Sequence, residues 1–434
     1  MAHRRLRKAI RVTVKIAIVG GGIGGLALAL AMIDAGISDV DIYESASAVK
    51  ELGVGINVLP HAMRELTELG LLGDLSGVGI PTAEWVLHSK HGQRIWSEPR
   101  GVAAGYNWPQ FSIHRGELLG VLYRAVLGRL GADRVHTGHH LIRFGRTKGA
   151  EVWGDFVDRV TGESVARVEA DLLVGCDGIH SVVRQALYPQ EGPPKWNGIT
   201  MWRGVTEGNP FLSGRTMIAA GYPGRTVVIY PISKRHEDQG RAWINWVANA
   251  RTAEGGPMPA QDWQHAVDRE QVLATFASFR FDFLDVPALI RSAEVVYQYP
   301  MVDRDPLPTW DFGRVTLLGD AAHPMYPTGA NGASQAIIDA RVLARELALQ
   351  SSVEAAVTAY DTQRRPDTGA VVEANRQGGP MRPLALVEQR APNGFTTLDD
   401  VTSPNELAQI AELYKHTAGF DAAMLNNRPS LSVR

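Results

Sequence analysis

A chain of 434 residues is longer than one ordinary domain, and 45% apolar with 21% charged residues gives it material for two lobes around a large core. A formal net charge of −2 argues against the concentrated basic face that nucleic acid requires, and no stretch is apolar for long enough to span a bilayer. The single cysteine, Cys176, excludes an internal disulfide and any multi-cysteine metal site, so no metal is expected and a reducing cytoplasm is.

In chain order, Arg4-Arg5-Leu6-Arg7-Lys8 ahead of an apolar run imitates the start of an export signal. Glycines break that run and no small-x-small cleavage site follows, so the basic residues read as a solvated tail. From Val14 to Val19 the run is rich in β-branched residues, then come glycines, then small helix-forming residues: strand, tight turn, helix. Gly20, Gly22 and Gly25 fit G-x-G-x-x-G, and Glu44 closes a second apolar run nineteen positions after Gly25. That is the pattern of a dinucleotide site. Gly20 permits the turn, Gly22 admits a pyrophosphate, and Gly25 lets the helix pack on the strand. The helix start at Ile23 and Gly24 offers unpaired N–H groups to phosphate, and Glu44 is placed to accept from a ribose hydroxyl.

Leu52 to Val58 is a glycine-rich loop, and Gly55 suits either backbone lying against a flat group or an ordinary turn. A helical pattern covers about Pro60 to Leu72, and residues 82–97 alternate like short strands. Arg115 opens a helix running from His114 to about Leu130. A cation there opposes the helix dipole unless it meets an anion, and a cofactor phosphate and a surface ion pair are equally open. Strands follow near 141–144, 151–158 and 164–169, with Leu141 among the cofactor-side candidates. Another buried strand then delivers Asp177-Gly178 to its C-terminal end, where open α/β sheets bind ligands. Ser181 is placed to cap the next helix, with Arg184 three residues on.

From about 195 to 300 aromatic and β-branched residues alternate between Gly/Pro turns, which predicts an antiparallel sheet in a second lobe. A loop at 254–259 and a helix near 263–276 interrupt it. A third buried strand, from Val315, ends in Gly319-Asp320. A Pro/Gly loop through Pro327 follows, then a helix from Gly332 and Ala333 to about Leu349, whose start faces negative charge. Helix continues to about Asn375, and a Pro-rich tail carries a last helix near Pro404 to Lys415. The expected division is a cofactor domain at 13–195 (with 82–97 a small strand insertion) and 301–366, a substrate domain at 196–300, and a tail at 367–434.

Three motifs together, Gly20 to Gly25, Asp177-Gly178 with Arg184, and Gly319-Asp320-Ala321-Ala322-His323, resemble the flavin-dependent aromatic hydroxylases of the para-hydroxybenzoate hydroxylase type. The resemblance covers about Val14 to Pro366. Within that family, Gly198 to Glu207, Gln298 to Pro308 and Gly329 to Ala336 look like the phenazine hydroxylases. The resemblance implies an α/β fold with a Rossmann-like FAD-binding domain, an antiparallel-sheet substrate domain and a C-terminal helical region. It also implies a single-component monooxygenase that uses FAD, NADH or NADPH, and O2, acting through a flavin C4a-hydroperoxide. Its substrate would be phenazine-1-carboxylate or a related fused heteroaromatic, with or without loss of the carboxylate.

By the same resemblance, adenosine lies at Gly20 to Glu44, Asp320 holds the ribityl chain, and Arg115 a phosphate or ribityl oxygen. Asp177 binds the cofactor or supports the pyrophosphate loop, and the loop from Pro327 to Gly332 and Ala333 meets the pyrimidine edge. The family's usual Gln and Asn in that loop are replaced by Asn331 and Ser334, so polar contacts there should differ. Trp202, Trp246, Tyr222 and Tyr230 are expected as pocket walls, with Tyr326 and Gly329 beside them. Arg203 is open between a substrate carboxylate and a structural ion pair. His323 is the single candidate proton carrier, weighed against a role in shaping its loop. There is no second G-x-G-x-x-G, so nicotinamide has no Rossmann site of its own. Epoxidation or N-oxidation of another natural product stays open, as does sequestration of an aromatic ligand without oxygenation. The expected partner is a small aromatic molecule, with neither nucleic acid nor membrane, and a homodimer is compatible.

Overall fold

The computed structural model describes residues 14–49, 53–149, 151–252, 258 and 265–433. The basic stretch Arg4 to Lys8, Leu52, and all of the 254–259 loop but Met258 lie outside them, as does the start of the helix expected near 263.

Five parallel strands form the sheet of the cofactor lobe. Ile16–Val19 sits at its centre, between Leu172–Gly175 and Val40–Glu44, with Val315–Leu317 and Val135–Thr137 at the edges. Parallel sheets bury both faces, and every residue of Ile16–Val19 is buried. The helix Ile23–Asp34 reads Leu-Ala-Leu-Ala-Leu-Ala with no polar stripe, which fits its burial between the sheet, the helix Gly332–Leu349 and the helix Arg115–Leu130.

The second lobe is built on a seven-stranded sheet in the order Tyr297–Asp303, Lys195–Gly208, Ala242–Arg251, Arg225–Pro231, Thr216–Tyr222, Glu84–Ser89, Arg94–Pro99. Neighbours run antiparallel except Thr216–Tyr222 against Glu84–Ser89. The strands read from the sequence as an insertion near 82–97 therefore complete this sheet. Side chains alternate between its faces. The outer face, with Trp202, Ile229, Ile244, Trp246 and Ala248, buries itself under the helices Arg269–Phe276 and Val286–Ser292. The inner face is covered by the helix Arg382–Arg390 at the strands Glu84–Ser89 and Thr216–Tyr222, and at Asn245 and Arg203 it meets the cofactor lobe.

The chain after Leu349 is helical almost throughout. Val353–Arg376 continues through Pro366, and Arg382–Arg390, Pro404–Thr417 and Ala422–Asn427 occupy the stretch expected as a helical, Pro-rich tail with a helix near Pro404 to Lys415. Pro383 and Pro404 fall in first turns, where a missing N–H costs no helical bond. Among the described residues no helix is long and apolar enough to cross a membrane.

Candidate active site

The glycine turn divides its labour. Gly20 takes φ +109°, and a Cβ there would lie 2.4 Å from the Cys176 carbonyl oxygen; one on Gly25 would lie 2.0 Å from that of Gly20. These two glycines, with Gly24 against Leu318 at 2.9 Å, let strands and helices approach. Gly22 differs, since nothing lies within 4 Å of its Cβ position. It is the N-cap of the helix Ile23–Asp34 and brings no capping side chain, so N–H groups of the first turn face open space. Glu44 braces the turn, with Oε2 accepting from the Gly21 N–H and Oε1 from that of Ala46, both at 2.7 Å.

The other two strand ends are wired into one unit. Asp177 Oδ2 accepts from the N–H of Val182 at 2.8 Å and of Val183 at 3.3 Å, while Ser181 Oγ accepts from Arg184 N–H at 2.8 Å. Both side chains thus cap the helix Val182–Leu187. Arg184 is buried and donates to the carbonyls of Ala321 at 3.1 Å and Ala322 at 2.8 Å, with Glu191 neutralising it. The Asp-Gly and Gly-Asp-Ala-Ala-His motifs are therefore held together by one guanidinium.

His323 is not placed to carry protons to a substrate. It is 2% exposed, its Nε2 is 2.5 Å from Asp339 Oδ2, and its ring lies against Trp310. Burial opposes ionisation of Asp339, but the charges and hydrogen bonds of His323 and Arg364 outweigh it and hold the carboxyl below its usual range. Asp339 also reaches the Gly319 N–H at 3.3 Å. His323 shapes the loop.

Asp320 and Arg115 lie deep within the outline of the protein and yet keep solvent-exposed surface, as side chains do along an open crevice. Enclosure raises the Asp320 carboxyl above its ordinary range, and the charges of His323 and Arg115 pull it back. Among the described residues Arg115 forms no ion pair. The helix Gly332–Leu349 starts nearby, with Gly332 Cβ space 3.7 Å from Asp320 Oδ1 and no side chain capping its first turn. An open glycine turn, two uncapped helix starts and a free guanidinium along one crevice fit an elongated cofactor with a central pyrophosphate. Leu141 is instead a core residue, 2% exposed beneath Gly154.

Gly55 joins the lobes. Its N–H donates to Asn245 Oδ1 at 2.7 Å and its carbonyl accepts from Arg203 Nη2 at 2.8 Å, so neither group is left for a cofactor. Arg203 has no carboxylate partner among the described residues, and its Nε is unpaired. On the inner face Thr226, Val247 and Arg203 remain half-buried, whereas Val227, Trp202, Trp246 and Ala248 on the outer face are buried. That asymmetry marks a cleft between the lobes. Tyr230 borders it with hydrogen bonds to Asn57 and Arg203; Met201, Tyr299, Met301 and Tyr326 close its apolar end. Burial, with Asp303 adding to it, pushes the Tyr326 phenol up to about 12.

Trp202 and Trp246, expected as pocket walls, belong to the opposite face. Trp202 meets Phe276 edge-on and donates to Gln298 Oε1 at 2.9 Å, and Trp246 donates to Thr206 Oγ1 at 3.2 Å. Strand parity puts them with the outer helices because Arg203 and Val247, one residue along, face inward. Tyr222 has the outward parity too, and sits at a hairpin end under Lys90. Gly329 is packed against Tyr414, whose hydroxyl would lie 1.5 Å from a Cβ there. Asn245 and Tyr414 are the residues a sequence reading misses. An asparagine at an inward position of an apolar strand is a local signal; Tyr414 gives none.

The family described as an FAD binding domain matches residues 13–375. The chain belongs to that family. It is 47% identical over 402 residues to the phenazine 1,6-dicarboxylic acid hydroxylase PhzS of Lysobacter antibioticus, covering 92% of this chain and 96% of that one. It is 33% identical to the aurachin C monooxygenase/isomerase of Stigmatella aurantiaca over 80% of this chain and 84% of the other. Among solved structures, 2,6-dihydroxypyridine-3-hydroxylase from Arthrobacter nicotinovorans superposes with a TM-score of 0.69 at 25% identity, over 84% of this chain and 91% of that one. The protein is thus an FAD-dependent aromatic monooxygenase of the para-hydroxybenzoate hydroxylase fold. FAD brings the oxygen-activating chemistry when bound, and the monooxygenase supplies the crevice that holds it and the cleft that presents an aromatic ring.

Proposed function

We propose that the monooxygenase hydroxylates a phenazine carboxylate or a closely related fused heteroaromatic acid, with NADH or NADPH as reductant. The observation that carries this reading is Arg203. It is a guanidinium without a carboxylate partner, half-buried at the rim of an apolar cleft, and a substrate carboxylate would complete its pairing. The similarity to a phenazine dicarboxylic acid hydroxylase supports the ring system. Val247 packs against the apolar cluster of Met201, Tyr299 and Met301, and apolar side chains of this kind keep water from the reacting centre. The crevice residues take their proposed parts here: Gly22, Ile23 and Gly24 at the pyrophosphate, Glu44 at the adenosine ribose, and Arg115 and Asp320 along the ribityl chain. Asp177 acts one step back, by holding the helix Val182–Leu187 in place.

The test is oxidation of NADH and of NADPH by FAD-loaded protein with and without phenazine-1-carboxylate, following O2 and hydroxylated product together. Stimulated oxidation with matching product is expected. Stimulation that yields hydrogen peroxide alone would mean the acid is an effector, and no stimulation would remove the phenazine assignment.

A further inference from the structure

The C-terminal helices close over the back of the loop that follows the Gly-Asp-Ala-Ala-His motif. The Tyr414 hydroxyl accepts from Asn331 Nδ2 at 2.8 Å and donates to Asn375 Oδ1 at 2.7 Å. Asn375 Nδ2 in turn donates to the Tyr326 carbonyl at 3.0 Å, and Gln335 Nε2 to the Ala418 carbonyl at 3.0 Å. All of these side chains are buried. Asn331 is the N-cap of the helix Gly332–Leu349 but its side chain caps nothing; it is turned back toward Tyr414 and the Gly329 carbonyl. The N–H groups of the helix start are thereby left facing the crevice beside Asp320.

We infer that Tyr414 is a positioning residue of the cofactor site: it draws the Asn331 amide away from its own helix, and so keeps that helix start open toward the flavin. The alternative conformation is a local one, since asparagine at an N-cap ordinarily folds its side-chain oxygen over the N–H groups of the first turn. Without the phenol, Asn331 loses the shortest of its three buried hydrogen bonds and keeps the Gly329 carbonyl at 3.1 Å and Gln335 Nε2 at 3.4 Å, which hold it less firmly against turning its oxygen to the first turn. The C-terminal segment is on this view part of the site and not a lid over it. The inference rests on FAD binding, and is independent of which aromatic acid is the substrate.

The experiment compares Tyr414→Phe with Tyr106→Phe. Tyr106 donates to the Phe420 carbonyl at 2.6 Å and so ties down the same segment through a hydroxyl that is spent on that carbonyl. Purified apoprotein of each variant is titrated with FAD, and the redox potential and visible spectrum of the bound flavin are recorded. Tyr414→Phe is expected to raise the FAD dissociation constant about tenfold, the scale of one buried hydrogen bond, and to shift both flavin signatures. Tyr106→Phe is expected to lower thermal stability while leaving FAD affinity, potential and spectrum near wild type. Asn331→Ala in the Tyr414→Phe background, which cannot cap, should restore the flavin signatures toward wild type. Unchanged flavin properties in Tyr414→Phe, or equal changes in Tyr106→Phe, would overturn the inference by leaving only a structural contribution.

Discussion

Arg203 Nη2 donates to the carbonyl of Gly55 at 2.8 Å, and that bond crosses from the substrate sheet to the glycine loop of the cofactor lobe. Asn245 Oδ1 takes the N–H of the same glycine at 2.7 Å. One residue without a side chain therefore fixes the spacing of the two lobes on either side of the cleft. The close approach is what requires glycine, for a Cβ at Gly55 would stand 2.6 Å from Asn245 and 2.8 Å from Ile232. Gly55→Ala must push the lobes apart or distort both hydrogen bonds. Overpacking of this kind costs about 1–3 kcal/mol. A lower melting temperature and a smaller fraction of NADH oxidation coupled to product are expected. Unchanged coupling would show that the spacing is set elsewhere.

Arg203 itself separates charge from geometry. Replacing it by Gln removes the cation facing the cleft and the charge-assisted bond to a carboxylate, worth about 1.5–3 kcal/mol. The dissociation constant of phenazine-1-carboxylate is expected to rise by tenfold or more, and that of unsubstituted phenazine to change little. Lys keeps the charge but not the planar fork, so Arg203→Lys should fall between wild type and Gln. Equal losses for both ligands would mean that Arg203 acts through the Gly55 bond alone.

The two ends of the glycine fingerprint should respond differently to the same methyl group. Gly25→Ala meets the Gly20 carbonyl at 2.0 Å, a backbone clash, and is expected to unfold or strongly destabilise the protein before any cofactor is added. Gly22→Ala meets no protein atom within 4 Å and should leave the apoprotein as stable as wild type. Its methyl projects where the pyrophosphate would pass, so FAD affinity should fall by tenfold or more. Thermal unfolding of apoprotein and FAD titration measure the two effects separately. A Gly22→Ala variant with normal FAD affinity would move the pyrophosphate away from this turn.

This difference between Gly22 and Gly25 also shows what a sequence can and cannot disclose. The motif, the strand before it and the helix after it are local, so the fingerprint, the Asp177 and Asp320 strand ends and the helix from Gly332 are all legible from short stretches. Period-two alternation in the second lobe is equally local, but it separates two faces without saying which one looks at the cofactor lobe. Trp202 and Arg203 are neighbours in sequence and opposite in role for that reason. The strands Glu84–Ser89 and Arg94–Pro99 join a sheet whose other members come much later in the chain. Tyr414 likewise meets Asn331 through tertiary folding alone. Contacts between distant segments are where the reading of single stretches stops.

His61 gives the protein an acid limb that carboxylates do not explain. The residue is fully buried, stacked on Phe420 and 3.4 Å from Gln335 Nε2 through its Nε2. Burial first, then the charges of Arg428 and Arg364, lower its pKa from 6.5 to about 3. The folded protein thus keeps this imidazole neutral down to about pH 3, while the unfolded chain protonates it near 6.5. Protons between those values bind the unfolded chain preferentially, so stability is full above pH 6.5 and declines as the pH falls toward 3, by up to about 1.4 kcal/mol per unit. Glu65, whose carboxyl burial raises, works in the opposite direction, so the comparison must be made between proteins and not read from one slope. His61→Leu is expected to flatten the loss of melting temperature between pH 7 and pH 5 relative to wild type. Ordinary carboxylates hardly titrate in that interval, which leaves the difference to the histidine. Parallel curves for the two proteins would mean that His61 gains a proton with the fold intact, and that its surroundings open to admit water.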